Sequence, residues 1–181
     1  DKKRSASSCA VSTDKKICCW GNNSYGQIGD GTKTRKAVPT LAQGPSGKVA
    51  KKLAASGYYN CAIYGDSGNN EDDKLYCWGS NANGKLGDST VIDKTIPTLA
   101  QGPSDKIAKQ VAINDDAGTT CAIYGDSGSS NNDKIYCWGN NVNGLIGDNT
   151  IEDRTVPTLA QGPSGKIAKQ VLSEGEMQEF L

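Results

Sequence analysis

CAIYGDSGSSNNDKIYCWG, residues 121–139, holds two short apolar runs, a polar loop between them and a cysteine in each run. The runs are too short for helices and are bounded by Gly, Asp and Asn, so the stretch reads as a β-hairpin. It recurs as CAIYGDSGNNEDDKLYCWG, residues 61–79, and in shortened form as CAVSTDKKICCWG, residues 9–21. Cysteines on neighbouring strands of one hairpin share a face, which predicts disulfides Cys61–Cys77 and Cys121–Cys137, each 16 residues apart. Cys9–Cys19 is the corresponding pair in the short copy. Cys18 stands where the later copies have Tyr76 and Tyr136 and is left over, either a buried free thiol or one half of an intermolecular bond.

Outside the hairpin the chain keeps the same period. Trp20, Trp78 and Trp138 fall 58 and then 60 residues apart, and Pro39, Pro97 and Pro157 repeat both spacings. Each Trp-Gly leads into an Asn- and Gly-rich turn (NNSYGQIGDGT, SNANGKLGDST, NNVNGLIGDNT), and each Pro opens the run TLAQGPS. Four strands can be read per unit: VPTLAQ at 156–161, KIAKQVAI at 106–113, CAIY at 121–124 and KIYCWG at 134–139. Four short strands in a unit of this length, radially repeated, predict an all-β chain of β-propeller-like blades, each a four-stranded antiparallel sheet. The expected divisions are a half-blade with its connecting loop over 1–38, full blades with their loops over 39–96 and 97–156, and a half-blade with an acidic tail over 157–181.

Composition narrows what such a chain can do. Twenty basic and 20 acidic residues give a formal net charge of zero, so no global field draws it to nucleic acid or an anionic membrane. No apolar run approaches the ~20 residues of a membrane-crossing helix, and DKKRS leads into no hydrophobic signal region. Seven regularly placed cysteines point to disulfides and an oxidising, extracellular or cell-surface setting. Zinc is disfavoured because His is absent and no CxxC pair exists. Catalysis has little to stand on, with no His, no GxSxG and no phosphate-binding loop, so no enzyme is expected.

CWGxNxxGxxGDxT followed by a Pro, with CAI or CAV one hairpin earlier, resembles the regulator-of-chromosome-condensation repeat, particularly the cysteine-containing form of secreted bacterial proteins. The resemblance covers nearly the whole chain. It implies a propeller, usually of about seven blades, serving as a protein-binding platform, with nucleotide exchange in one eukaryotic branch and enzyme inhibition in a bacterial one. The chain departs from that pattern at Asn60 and Thr120, which replace the His that often precedes the CAL-type strand, and in its number of blades.

The strand count makes self-assembly the leading expectation. The chain opens on the third strand of a unit and closes after the second, leaving complementary halves at opposite ends. Three blades' worth of strands are too few for a ring of the usual four to eight, so a second copy is expected to complete each half, as a ring or a filament, with a fragment of a longer propeller as the plainer alternative. The tail LSEGEMQEFL abandons the repeat and reads as a true terminus. Its Glu174, Glu176 and Glu179 complement Lys2, Lys3 and Arg4 at the start as candidate interface charges, with solvated termini as the plainer reading. The other function considered is a propeller segment that binds a protein or glycan through its loops.

The remaining signals have structural readings beside functional ones. The three Trp residues suit packing between blades, or stacking on a sugar. No cofactor is expected. Calcium is the one metal suited to the oxygens of Asp66, Asn69, Asn70, Glu71, Asp72 and Asp73, repeated more weakly at Asp126, Asn131, Asn132 and Asp133, but a solvated hairpin tip is the favoured reading. Asp30, Asp88 and Asp148 read as turn formers bonding their own backbone, and Asn22 fits a short glycosylation motif.

Overall fold

The computed structural model describes residues 6–162 and 167–171. Within them the strands are β1 (Ser7–Val11), β2 (Ile17–Gly21), β3 (Lys36–Leu41), β4 (Val49–Ala55), β5 (Tyr59–Gly65), β6 (Lys74–Gly79), β7 (Lys94–Leu99), β8 (Ile107–Asn114), β9 (Thr119–Gly125), β10 (Lys134–Gly139) and β11 (Arg154–Leu159). They form three antiparallel sheets with neighbours in chain order: β1-β2-β3, β4-β5-β6-β7 and β8-β9-β10-β11. The chain is all-β and built of four-stranded blades, as its repeats require.

The hairpin of the repeat lies at the centre of each sheet. Cys61 pairs directly with Cys77, and Cys121 with Cys137, across adjacent strands. All three disulfides form, Cys9–Cys19, Cys61–Cys77 and Cys121–Cys137, each joining Cα atoms 4.1 Å apart. The register then slips by two residues at each Trp-Gly, as between Cys77, opposite Thr98, and Gly79, opposite Lys94, in the second sheet. Gly79 sits there at φ +104°, and a Cβ on it would come within 2.5 Å of the Tyr58 carbonyl. Only glycine fits this bulge, which fixes the Gly after every Trp.

The sheets are framed one strand later than the sequence units. The PTL stretch, read as opening a unit, instead closes the preceding sheet: Leu99 pairs with Tyr76 and Thr98 with Cys77. Proline explains the placement, because Pro97 has no N–H to donate and the outermost strand asks for none on its open side. The sheets therefore span Val49–Leu99 and Ile107–Leu159, in place of units over 39–96 and 97–156. The first sheet has three strands rather than two, and beyond β11 the described residues of the last unit are 160–162 and Ile167–Val171.

The core lies between the sheets. β4 packs against β8, and β1 against β4. Trp78 of the second sheet and Trp138 of the third are fully buried. Each reaches back to the preceding repeat, where its indole N–H donates to a loop carbonyl, Gln27 for Trp78 and Lys85 for Trp138, both at 3.0 Å. Ile28 and Leu86, next in those loops, are also fully buried. Trp is thus the inter-blade anchor, and its apolar body and polar tip are both satisfied.

Candidate assembly interface

One joint recurs wherever a sheet meets the next. The tip of each central hairpin offers a carbonyl to the first turn of the following inner strand: Lys15 to the N–H of Ala50 at 2.9 Å, Asp73 to Ala108 at 2.9 Å, and Asp133 to Ala168 at 3.0 Å. The third joint exists although no sheet follows it among the described residues. Ile167–Val171 is held there like an inner strand, with the Lys169 carbonyl accepting from the Gln110 side chain at 3.0 Å and the Val171 N–H donating to it at 3.3 Å.

The first sheet shows the opposite deficit. In the second sheet the inner strand β4 covers β5, all of whose residues are buried, and β8 does the same for β9. β1 is the counterpart of β5 and β9, and among the described residues no strand pairs with its inner edge. Val11 is 43% exposed, whereas Ile63 and Ile123 at the same repeat position are 1% exposed. Ser8 and Ala10 are exposed where Asn60, Ala62, Thr120 and Ala122 are buried. An unpaired edge of this kind presents a row of free backbone donors and acceptors.

The hairpin tips are clasped by lysines from the inner strand. Lys48 bridges Asp66 and Asp72, and Lys51 holds Asp73; Lys106 meets Asp126 and Lys109 meets Asp133 in the next sheet. The paired Asp66 and Asp72 carboxylates raise the Lys48 pKa, and Lys48 in turn lowers that of Asp72. The Asp66, Asp72, Asp73, Asp126 and Asp133 carboxylates considered for calcium thus face ammonium groups, and among the described residues no group of three or more acidic or thiol ligands is placed to hold a metal.

Each connecting loop is organised by a buried asparagine that turn chemistry alone did not single out. The Asn81 side chain donates to Asp88, Thr90 and the Ile92 carbonyl and accepts from the Leu86 N–H, and Asn23 and Asn141 repeat the pattern. The signal was present, since Asn recurs three positions after every Trp. Asp30, Asp88 and Asp148 do bond their own turns, through the N–H two residues on, and also meet Lys36, Lys94 and Arg154. The Thr150 hydroxyl and, against the pull of burial, the Arg154 guanidinium hold the Asp148 carboxyl down to about 2. Burial works to raise Asp30 and Asp88, but the lysine and threonine donors prevail and lower both. Lys85, also unforeseen, is 7% exposed with its Nζ 4.8 Å from the centre of the Tyr59 ring, and burial lowers its pKa.

Of the interface charges read from sequence, Lys2, Lys3, Arg4, Glu174, Glu176 and Glu179 lie outside the described residues. Cys18 is a half-buried free thiol on β2. No helix among the described residues is long and apolar enough to cross a membrane.

A sequence model of the regulator of chromosome condensation (RCC1) repeat matches residues 14–63, 72–116 and 132–173, most of the chain. The chain belongs to the RCC1 repeat family. The first matched span runs from the tip before β2 into β5, so an RCC1 repeat straddles two blades, taking β2 and β3 from the first sheet and β4 and β5 from the second. Among relatives with RCC1 repeats, the E3 ubiquitin-protein ligase HERC2 of Homo sapiens is 26% identical over 88% of this chain and 3% of its own length. The ultraviolet-B receptor UVR8 of Arabidopsis thaliana is 25% identical over 90% of the chain and 34% of its own. The fold is likewise that of solved RCC1 structures. Prp20p from Saccharomyces cerevisiae, whose structure was described with its binding to Gsp1p and histones, superposes with a TM-score of 0.66 at 20% identity, covering 87% of this chain and 36% of that one. Human WBSCR16 gives 0.64 at 18% identity. The chain spans about a third of the length of UVR8 and of these solved structures, and far less of HERC2.

Proposed function

We propose that the chain is an extracellular structural building block that joins copies head to tail, the inner strand at the end of one copy completing the first sheet of the next. The observation that carries this reading is the exposure of Val11, Ala10 and Ser8 on β1, where the same positions of β5 and β9 are closed by an inner strand. Ile167–Val171 has the sequence of that missing strand, IAKQV, as in Ile107–Val111. If it pairs as β8 does with β9, Val171 faces Ala10 and Gln170 faces Val11, by analogy with Val111 opposite Ala122 and Gln110 opposite Ile123. Strand addition satisfies the backbone groups on both sides and buries an apolar row. The joint is heterologous, so copies extend as a filament or close as a ring according to the rotation per copy. The three disulfides suit an oxidising extracellular or cell-surface setting.

Size-exclusion chromatography with negative-stain microscopy of the purified chain tests this. Higher-order assemblies are expected, and they should vanish when residues 163–181 are removed. A chain that stays monomeric at micromolar concentration overturns the reading.

A second reading, a module that binds another protein through its loops, is favoured by one observation. The connecting loops expose Val91, Ile92, Val142 and Ile151, each more than 60% accessible, and a related RCC1 fold was described with protein partners. Assembly unaffected by charged substitutions at those four positions would leave them free for such a role.

A further inference from the structure

The outer face of the third sheet carries an open cleft of about 610 Å³ lined by Gly144, Gly147, Asn149, Thr150, Ile151 and Gln161. Its counterparts on the first and second repeats are filled, and by the same residue. The indole of Trp78 lies on Gly29, where a Cβ would stand 2.8 Å from its nitrogen, and that of Trp138 lies on Gly87 at 2.6 Å. At Gly147, in the same place of the third repeat, the nearest atom is the Ala160 Cβ at 3.6 Å. Gly29 and Gly87 are buried and Gly147 is exposed; Gln27 and Lys85, whose carbonyls receive the indole N–H, are buried, and Leu145 is 44% exposed. The cleft is a tryptophan socket without its tryptophan.

The first sheet carries the complement. Trp20 lies in β2 as Trp78 lies in β6, yet it is only half-buried where the other two are sealed. Its neighbours fit the same template. Asn60 and Thr120 each donate to the carbonyl that also receives the indole, at 2.8 Å, and Ser8 is the equivalent hydroxyl, exposed on β1. The N–H groups of Gly31 and Ser89 donate to the carbonyls of Thr95 and Thr155 in the following sheet at 2.9 Å; their counterparts are Asn149 and Ala37, both exposed.

We infer that the cleft at Gly147 of the third blade receives Trp20 of a second copy, with its indole N–H on the neighbouring Leu145 carbonyl, Ser8 on the same carbonyl and the Asn149 N–H on the Ala37 carbonyl. This rests on the head-to-tail reading and gives that joint its anchor: strand addition sets the register, and the indole supplies the buried centre that governs dissociation. The occupant is identified by continuity, because the two internal joints of the same chain have this geometry.

The test uses two full-length variants that each damage one end, Trp20→Ala on the first sheet and Leu145→Glu beside the cleft. Leu145 is exposed in the single chain, so Leu145→Glu leaves the fold intact, as circular dichroism and thermal melting verify. Each variant alone is expected to lose assembly by at least tenfold in concentration dependence. Mixed one to one, they should form pairs and nothing longer, because the sound socket of Trp20→Ala meets the sound Trp20 of Leu145→Glu. Assembly of both variants as in the wild type, with the 163–181 deletion still abolishing it, overturns the socket and leaves strand completion standing. Loss in both without rescue on mixing also overturns it, since unfolded ends do not complement. A monomeric wild type removes the head-to-tail reading and the socket together.

Discussion

Asp148 is a small group with a measurable signature. Its side chain is 5% exposed and ion-paired with Arg154 at 2.7 Å, and its pKa of about 2 lies below the ordinary 3.8. A carboxyl whose folded pKa is depressed stabilises fully above the unfolded value and loses that contribution as pH falls through the folded one. Asp30 and Asp88 are shifted in the same direction. The melting temperature is therefore expected to fall as pH drops from about 4 toward 2, and Asp148→Asn should flatten that slope. A melting temperature constant over this range contradicts the loop electrostatics. The turn role of these aspartates was legible in the sequence because a GD turn needs a local acceptor. The buried role of Asn23, Asn81 and Asn141 was not, since a polar residue in a Gly-rich loop gives no sign that the loop will fold over it.

At the scale of the element, the hairpin holds most of the stabilising devices. The Cys61–Cys77 bridge closes a loop of 16 residues between strands that are otherwise short, and cross-links of that size contribute about 3 kcal/mol. Replacing both cysteines by Ala should lower unfolding free energy in urea by about that amount; an unchanged denaturation midpoint would show the sheet to be self-sufficient. The hairpins, the cysteine pairs and the number of strands per unit could all be read from the chain, because apolar alternation and turn residues are local signals. The frame of the sheets could not. The PTL strand lies between two hairpins, and only its pairing with β6 rather than β8 shows which it serves. The proline that decides this is informative only once the strand is known to be an edge.

At the scale of the molecule, the offset between repeat and blade makes the chain modular. Excising residues 79–138 joins Trp78 to Gly139 and replaces the loop and β7 after β6 by the equivalent loop and β11, leaving both ends untouched. The shortened chain is expected to fold, to keep two disulfides and to assemble like the parent, as sedimentation and electron microscopy would show; failure to fold would mean that the blades are not interchangeable. An incomplete sheet at each end was expected from the strand count. That the split falls as three strands and one was not, because it depends on the frame. The recurring carbonyl clasp at Ala50, Ala108 and Ala168 has a mechanical consequence. Each clasp joins two parts of one chain and is backed by its covalent backbone, whereas the pairing of Ile167–Val171 with β1 of the next copy would rest on non-covalent contacts alone. A stretched filament would part at the joints between copies while its blades stayed folded, so breakage would yield intact units able to rejoin.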